Sequence, residues 1–302
     1  PVRWSSIDPF KNSHYNQGDT IERWCRAQSG GRKFLVPARG DISGKFRYFG
    51  PRSGRMARAR FPVHLLKLPQ DFGVVRTLAL EEALLRHDAR NWCVQYHASE
   101  QPMIILGCSG KPERLINIDK VLEDSVQVVR RFTGGGTVVL GPDTRLVSWI
   151  MRGWPAPGSG VGSRKVNPGS KTPIIDPRAV MSWSEGVYQP MMDLLIGKTA
   201  AAKFGVREND YVLGDLKFGG NAQAITAGDF VHHTSFLWDY DPQHMEYLQL
   251  PEKQPDYRQN RTHLDFLTPL RVHAEQHSPG RRDEDLQGEL WRTMRAALET
   301  AF

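Results

Sequence analysis

The residues from Arg130 to Val139 combine the types that bind anions in proteins. Arg130 and Arg131 lead through Thr133 into three glycines, residues 134–136, and a β-branched run follows. Glycine leaves backbone N–H groups accessible and can adopt positive φ, so such a turn can close around the oxygens of a ligand. Arginine supplies a forked positive charge for phosphate or carboxylate. The pattern predicts strand, anion-binding turn, strand; a glycine-rich hairpin with two solvated arginines is the alternative.

A second group of this kind lies further along the chain. Lys217 is followed by Phe218 and two glycines, residues 219–220, and it is preceded by the pair Asn209-Asp210. A fixed cation in such a place can stabilise negative charge that develops on a carbonyl or phosphate oxygen. Taken alone, the same lysine would be an ordinary surface residue.

The pair His232-His233 lies in a predicted strand, Phe230–Leu237. Adjacent residues of a strand face opposite sides, so the two rings cannot both bind one metal ion. The pattern therefore predicts one histidine directed into a pocket and the other packed or solvated. Val231 and Trp238 are predicted core residues.

The remaining pattern predicts an α+β fold with mixed or antiparallel sheets and flanking helices, because many short strands are joined by short turns. The predicted strands are His64–Leu68, Val94–Tyr96, Met103–Gly107, Gln127–Arg131, Arg145–Met151, Tyr211–Leu213 and Phe230–Leu237. The predicted helices are Thr77–His87 with Thr77 as N-cap, a helix from Ser182 or Ser184 to about Ala202 with Val187, Met191, Leu194 and Leu195 inward, and Asp283–Ala301. Residues 251–271 are predicted to be a loop.

Composition limits the class of protein. The chain has 302 residues, of which 39% are hydrophobic and 24% charged, as in soluble globular proteins. It has no apolar run of about 20 residues, so no membrane span is expected. Cys25, Cys93 and Cys108 are odd in number and without paired spacing, which argues against a disulfide framework or a cysteine zinc site. Buried, inert thiols are expected.

The net charge of +7 comes from the N-terminal part of the chain. Residues 1–60 carry a balance of +9, and residues 61–302 carry −2. Nucleic-acid-binding domains usually carry their basic surface on the folded body, so no nucleic-acid partner is expected. The division predicts a basic, irregular N-terminal extension, 1–60, and a compact domain, 61–302.

The motifs together resemble the lipoate–protein ligase A family, within the wider group of biotin and lipoate protein ligases. The family pattern reads R-R-x-[ST]-G-G-G-x-V, then N-D, then K-[IV]-[SAG]-G-[NS]-A-Q, then H-H-G-T-L-L. In this chain the corresponding segments are Arg130–Val138, Asn209-Asp210, Lys217–Gln223 and His232–Leu237. The resemblance covers about residues 61–301 and implies a single catalytic domain.

The resemblance also implies a reaction and its residues. Lipoate and ATP, with Mg²⁺, would form lipoyl-adenylate, and the lipoyl group would pass to a lysine of a lipoyl domain, of the 2-oxoacid dehydrogenase E2 or glycine-cleavage H type. Lys217 is the implied catalytic residue, and Asp210 the implied metal ligand. The implied contacts of ATP and the adenylate are Arg131, Gly136, Thr137, Val138, Val139, Asn209, Asp210, Arg258 and Arg261. Those of lipoate are Thr133, Gly134, Gly135, Gly136, Lys217, Gly220, Asn221 and His233.

The chain departs from the family pattern at three points. Thr234 replaces a glycine, Cys108 stands where bacterial ligases commonly have arginine, and the C-terminal accessory domain of those ligases is expected to be absent. These departures keep two alternatives open: a lipoyl or octanoyl transferase using a preformed activated donor, and a non-catalytic acyl or adenylate binder. A cysteine-dependent acyltransferase is disfavoured because no cysteine follows Cys108.

Two further expectations concern context. Residues 52–60 are arginine-rich and free of acidic residues, as in transit peptides, which favours a mitochondrial location over a cytoplasmic one. The protein is expected to be a monomer.

Overall fold

A computed structural model describes residues 62–153, 175–226, 228–250, 252 and 254–301. The predicted extension, residues 1–60, lies outside these residues. The strands are β1 (Val63–Lys67), β2 (Asn91–His97), β3 (Met103–Leu106), β4 (Gln127–Arg130), β5 (Val138–Leu140), β6 (Thr144–Met151), β7 (Phe204–Arg207), β8 (Asp210–Leu213), β9 (Leu216–Ile225) and β10 (Phe230–Leu237). The α-helices are α1 (Val74–His87), α2 (Pro112–Leu115), α3 (Ile118–Glu123), α4 (Pro177–Leu195), α5 (Lys198–Ala201), α6 (His263–Phe266), α7 (Leu270–His277) and α8 (Asp283–Ala301).

Seven strands form the large sheet, in the order β1-β2-β6-β10-β9-β8-β7. Its strands run antiparallel to their neighbours except β1, which pairs parallel with β2 at the sheet edge. The strand β10 is central, and His233 lies between Ser148 of β6 and Ala222 of β9. The chain reverses between β8 and β9 at Gly214, whose φ of 65° favours glycine.

The small sheet has the order β4-β3-β5. The strands β3 and β4 are parallel, so the chain between them must cross over, and it does so through α2 and α3. The strand β5 is antiparallel to β3, and the glycine-rich turn joins β4 to β5. The predicted strand, turn and strand are therefore confirmed, although β4 and β5 flank β3 and do not pair with each other.

Helices cover both faces of the large sheet, so its central strands are apolar on both sides. In β6 all eight residues are buried. Leu146 and Ile150 pack in the core cluster with α1, while Val147 and Trp149 pack in the cluster with α4 and α8. The alternation follows from the period of two in a strand. The site lies on the α1 side of this sheet, where the small sheet also packs.

The structure confirms the mixed α+β class, the bounds of β10 and α8, and the burial of Val231 and Trp238. Among the described residues, no helix has the length and apolar character needed to cross a bilayer.

The predicted start of α1, the predicted bounds of α4 and the predicted loop at residues 251–271 are wrong. The helix α1 begins at Val74 after Gly73, and the Thr77 hydroxyl bonds back to the Gly73 carbonyl (2.9 Å) instead of capping. The helix α4 begins at Pro177, and the side chain of Asp176 caps it through the Arg178 N–H (3.0 Å).

The helix α4 also ends earlier than expected, at Leu195, and α5 follows as a separate turn. Leu194 is 53% exposed, so it is not part of the inward face. Residues 251–271 are not simply a loop, since the 3-10 turn Asp256–Arg258, α6 and the start of α7 lie within them.

Candidate active site

A cavity of about 650 Å³ is lined by residues of both sheets. One wall is apolar and belongs to the core cluster of α1: Val74, Leu78, Ile105, Leu140 and Leu146. Other elements contribute the apolar residues Leu115, Met245, Leu248, Phe266 and Leu267. Polar groups complete the lining, and a mostly apolar surface with a few polar groups is the usual composition of a small-molecule site.

Most of the residues that the sequence singled out line this one cavity. They are Arg131, Gly134, Gly135, Gly136, Thr137, Val138, Val139, Asn209, Asp210, Lys217, Gly220, Asn221, His233 and Arg258. Two predicted contact residues do not line it. Thr133 is fully buried behind the turn, and Arg261 is directed to backbone carbonyls outside the cavity.

The glycine-rich turn is built around the side chain of Arg131. Its Nη2 donates to the carbonyls of Gly136 (2.6 Å) and Gly134 (3.3 Å), and its Nη1 donates to the carbonyl of Ile105 (3.2 Å). Arg131 as a whole is 5% exposed, and burial lowers the pKa of its guanidinium to about 10. Among the described residues its Nε has no hydrogen-bond partner. Arg131 thus shapes the turn from inside, and contact with phosphates stays a prediction.

The turn is also attached to β9. The Gly134 N–H donates to the Gln223 carbonyl (2.8 Å). Gly135 has a φ of 112°, and a Cβ there would lie 2.9 Å from Arg131 Nη2 and 3.0 Å from the Asn221 carbonyl oxygen. Only glycine therefore fits this position without strain. The Asn221 side chain donates to the Asn209 carbonyl and so joins the segment Lys217–Gln223 to the pair Asn209-Asp210.

Lys217, Asp210 and Tyr257 form the charged centre of the site. Lys217 Nζ lies 2.7 Å from Asp210 Oδ1, and the Tyr257 hydroxyl donates to Asp210 Oδ2 (2.8 Å). The side chain of Lys217 is 27% exposed, so its ammonium keeps access to the cavity. Burial and the neighbouring Asp210 carboxylate raise the pKa of Tyr257 far above its ordinary value.

The segment that carries Tyr257 also brings two arginines close to the site. Arg258 is buried, stacks on Phe266 at 4.7 Å and donates through Nε to the Arg261 carbonyl (3.0 Å). Its Nη2 lies 3.3 Å from His263 Nδ1, and burial and Arg258 lower the pKa of His263 to about 4. Arg261 donates to the carbonyls of Arg258, Tyr257 and Asp215. It therefore holds the segment against the β8–β9 turn.

The two histidines of β10 face opposite sides, as predicted, and both are buried. His233 lines the cavity, and its Nε2 lies 2.8 Å from Oε2 of Glu81, a fully buried carboxylate of α1. His232 lies on the other face, with Nε2 2.7 Å from the Tyr211 hydroxyl and Nδ1 3.2 Å from Gln223 Nε2. Burial lowers the pKa of His232 to about 3, so this ring is neutral near pH 7.

Among the described residues, neither cysteine lines the cavity. Cys93 is buried in the core, and burial raises the pKa of its thiol. Cys108 is exposed, which corrects the expectation that the thiols are buried. Neither is therefore placed as a nucleophile beside Lys217, in agreement with the sequence argument against a cysteine-dependent transferase.

The donor set for Mg²⁺ is small. No group of three or more His, Cys, Asp or Glu side chains occurs among the described residues. Both carboxylate oxygens of Asp210 have partners, Lys217 and Tyr257. Magnesium is commonly held by one or two carboxylates together with substrate phosphates and water. The described residues therefore offer one carboxylate, Asp210, that is already engaged, so an ion at the site would be held mainly by the nucleotide phosphates and its contact with Asp210 stays a prediction.

Sequence reasoning missed Glu81 and Tyr257 as parts of the site, whereas Gln223 and Thr234, which belong to the motifs quoted from the sequence, do line the cavity. Glu81 had a signal, since it follows Leu78 by three residues on the apolar face of α1. The contact of Tyr257 with Asp210 had none, because the two residues are 47 positions apart and meet only in the folded chain.

The chain belongs to the family of the lipoyl protein ligase A/B catalytic domain, whose family model matches residues 74–163 and 172–276. It is 28% identical over 259 residues to inactive lipoate–protein ligase 2 of Plasmodium falciparum (isolate 3D7), covering 69% of this chain and 64% of that protein. The chain thus spans less than two thirds of the length of that relative.

Solved structures share the fold. A bipartite lipoate protein ligase of Thermoplasma acidophilum, described in an archaeal lipoylation system with its E2 lipoyl domain, matches with a TM-score of 0.53 and 19% identity, over 78% of this chain and 82% of that one. A lipoate–protein ligase A bound with ATP matches with a TM-score of 0.52 and 18% identity, over 78% and 84%. The predicted biotin/lipoate-ligase-like catalytic domain is confirmed.

Proposed function

We propose that the protein attaches lipoate to a lysine of a lipoyl domain, using ATP to form lipoyl-adenylate as the intermediate. The observation that carries the proposal is that Lys217, the glycine-rich turn and an apolar wall line one cavity. An acyl chain fits the apolar wall, while the charged centre accepts carboxylate and phosphate oxygens. The relatives described as lipoate–protein ligases, one of them bound with ATP, support this choice.

The residues suggest how each part of the reaction is served. Lys217 would donate to the acyl carbonyl and the α-phosphate, where negative charge grows as the carboxylate attacks and pyrophosphate leaves. The N–H groups of the glycine-rich turn after Gly134, whose own N–H is bonded to Gln223, and the guanidinium of Arg258 would bind the remaining phosphate oxygens. In the second step the carrier lysine attacks the acyl carbon and AMP leaves, and Lys217 would stabilise the oxyanion again. The apolar walls exclude water, which would otherwise hydrolyse the adenylate.

One observation favours a second candidate, transfer from preformed lipoyl-adenylate without activation. The Plasmodium relative is named an inactive lipoate–protein ligase, and a shared fold does not require that both steps occur. The glycine-cleavage H or 2-oxoacid dehydrogenase E2 lipoyl domain as acceptor, and a mitochondrial location, are likewise proposals.

The test is a mass measurement of an apo lipoyl domain after incubation with the protein. With lipoate, ATP and Mg²⁺ we expect one added lipoyl group, and Lys217→Ala should slow its appearance at least 100-fold, as when one oxyanion donor is removed (~10²–10³). Lys203→Ala, an exposed lysine outside the cavity, is the matched control and should leave the rate unchanged.

The donor decides between the two candidates. Modification with synthetic lipoyl-adenylate but not with lipoate and ATP would establish the transferase. No modification with either donor, although the adenylate binds, would leave a non-catalytic binder and refute the proposal.

A further inference from the structure

Tyr257 is joined to the catalytic centre through Asp210. Asp210 is 7% exposed, and its two carboxylate oxygens have different partners: Lys217 Nζ at Oδ1 (2.7 Å) and the Tyr257 hydroxyl at Oδ2 (2.8 Å). A carboxylate held at both oxygens cannot rotate freely about its Cβ–Cγ bond. The hydrogen bond from Tyr257 therefore sets the orientation in which the Asp210 carboxylate pairs with Lys217.

The segment around Tyr257 is itself fixed to the strands of the site. The Asp256 N–H donates to Glu208 Oε1 (2.8 Å) in the β7–β8 turn. Arg261 Nη2 donates to the carbonyls of Tyr257 (2.9 Å) and Asp215 (3.0 Å). These contacts place the Tyr257 hydroxyl at Asp210 without help from a ligand.

The same segment is tied to the catalytic lysine. The Thr268 N–H donates to the Lys217 carbonyl (2.9 Å), and Lys217 forms an isolated parallel bridge with Leu267. Residues 254–268 thus contact the backbone of Lys217 directly and reach its side chain through the hydrogen bond from Tyr257 to Asp210. The Tyr257 ring packs against Phe266 (5.2 Å), and the Arg207 guanidinium lies over it (5.6 Å), so the ring position is supported by two further side chains.

The hydroxyl of Tyr257 remains a hydrogen-bond donor throughout the neutral range. An ordinary phenol has a pKa of about 10 and keeps its proton in this range, and here it donates that proton to Asp210 Oδ2. A neutral phenol can fix the carboxylate without adding charge to the site. A lysine or arginine in its place would compete with Lys217 for Asp210.

We propose that Tyr257 is a positioning residue for the reaction, which holds Asp210 in the orientation that directs the Lys217 ammonium toward the ligand. An ammonium has three donors. With Oδ2 occupied by Tyr257, Asp210 accepts one of them at Oδ1, and two remain for the acyl carbonyl and the phosphate. Without the tyrosine, the carboxylate can turn and accept two donors of Lys217. The inference rests on the proposed function for the identity of the ligand, but not for the position of the lysine.

The kinetic test uses Tyr257→Phe, Asp210→Asn and the double variant. The reaction is lipoate-dependent exchange of pyrophosphate into ATP, or lipoyl transfer from synthetic lipoyl-adenylate if only that occurs. Tyr257→Phe should lower kcat about tenfold, as expected for one lost hydrogen bond to a charged group, and change KM less than about twofold. The double variant should be no slower than Asp210→Asn, because Tyr257 acts through Asp210.

The matched control is Tyr247→Phe, which removes another tyrosine–carboxylate hydrogen bond, to Asp124 Oδ2 (2.9 Å), away from the charged centre. It should leave kcat unchanged. Losses that multiply in the double variant, an equal loss in Tyr247→Phe, or an effect on KM alone would each overturn the inference.

A second measurement needs no activity. In protein labelled with ¹⁵N-lysine, the ammonium signal of Lys217, assigned with Lys217→Arg, reports its ion pair directly. Tyr257→Phe should shift or broaden that signal as Asp210→Asn does, whereas Tyr247→Phe should not. An unchanged signal in Tyr257→Phe would overturn the inference. The shift in a protein that neither activates nor transfers lipoate would support the positioning of Lys217 and refute the proposed function.

Discussion

Adjacent arginines have different roles in this molecule because they use their nitrogens differently. Arg130 donates through Nη1 alone, to the carbonyls of Gly107, Cys108 and Gly110. Arg131 is buried and uses both terminal nitrogens, Nη1 for the carbonyl of Ile105 in β3 and Nη2 for two carbonyls of the glycine-rich turn. The sequence predicted the arginines as a charge source for phosphate. In the structure both side chains donate hydrogen bonds to backbone carbonyls.

Replacing each arginine by lysine separates these roles. The single ammonium of lysine can reproduce the contacts of Arg130 but cannot bridge Ile105 and Gly136 as Arg131 does. We expect Arg131→Lys to lower the free energy of unfolding by about 3 kcal/mol, from lost hydrogen bonds to a charged group, and Arg130→Lys by less than about 1 kcal/mol. Urea unfolding measures both. Unchanged stability of Arg131→Lys with a raised KM for ATP would show instead that Arg131 mainly binds phosphate.

The glycine-rich turn is the element that joins the two sheets at the site. It leaves the small sheet at β4, contacts β9 of the large sheet at Gln223, and returns to the small sheet at β5. Its shape depends on one glycine more than on the others. Gly135 has positive φ and close neighbours, whereas a Cβ at Gly136 would have no atom of the described residues within 4 Å apart from its chain neighbours.

Two alanine substitutions test that difference. Gly135→Ala places a Cβ in a disfavoured conformation and against Arg131, so we expect a loss of about 1–3 kcal/mol in stability and weaker binding of the adenylate. Gly136→Ala should change stability by less than about 1 kcal/mol. Thermal unfolding and titration with a non-hydrolysable lipoyl-adenylate analogue measure the two effects. Equal effects of the two substitutions would contradict this account of the turn.

Element prediction succeeded where the pattern is local and failed where a distant residue decides. The strand β10 and the helix α8 show their period in sequence, and both were predicted at their observed bounds. Ser184 lies in the middle of α4 and does not mark its start. Its hydroxyl pairs with Tyr211 of β8 instead of capping the helix. The true cap, Asp176 before Pro177, is a local signal that was overlooked.

At the scale of the whole molecule, the site is produced by the packing of two sheets and by one later segment. The glycine-rich turn and the strand of Lys217 could be paired from sequence because each carries a motif. The residues that contact these two motifs from other parts of the chain, Glu81 and Tyr257, could not be predicted from sequence. Glu81 reaches His233 only because α1 packs on β10, and Tyr257 reaches Asp210 only because residues 254–268 lie against β8 and β9.

A row of hydrogen-bonded polar side chains, on the face of the large sheet that packs against α4, couples the stability of the fold to pH. Ser184 Oγ, Tyr211 Oη and His232 Nε2 are consecutive neighbours at 2.7 Å, and all three residues are fully buried. Burial lowers the pKa of His232 from 6.5 to about 3. Between these values the unfolded chain binds a proton that the folded chain does not, so the free energy of unfolding decreases as the pH falls below 6.5.

The contribution of His232 can be measured as a slope. One proton taken up on unfolding corresponds to about 1.4 kcal/mol per pH unit, and the slope develops between pH 6.5 and 5, before most carboxylates titrate. In urea unfolding over this range, His232→Gln should reduce the wild-type slope by about this amount, because glutamine does not titrate. Ser184→Ala, which removes a non-titrating member of the same row, should lower stability without changing the slope. Equal slopes for the wild type and His232→Gln would mean that His232 is already protonated in the folded protein.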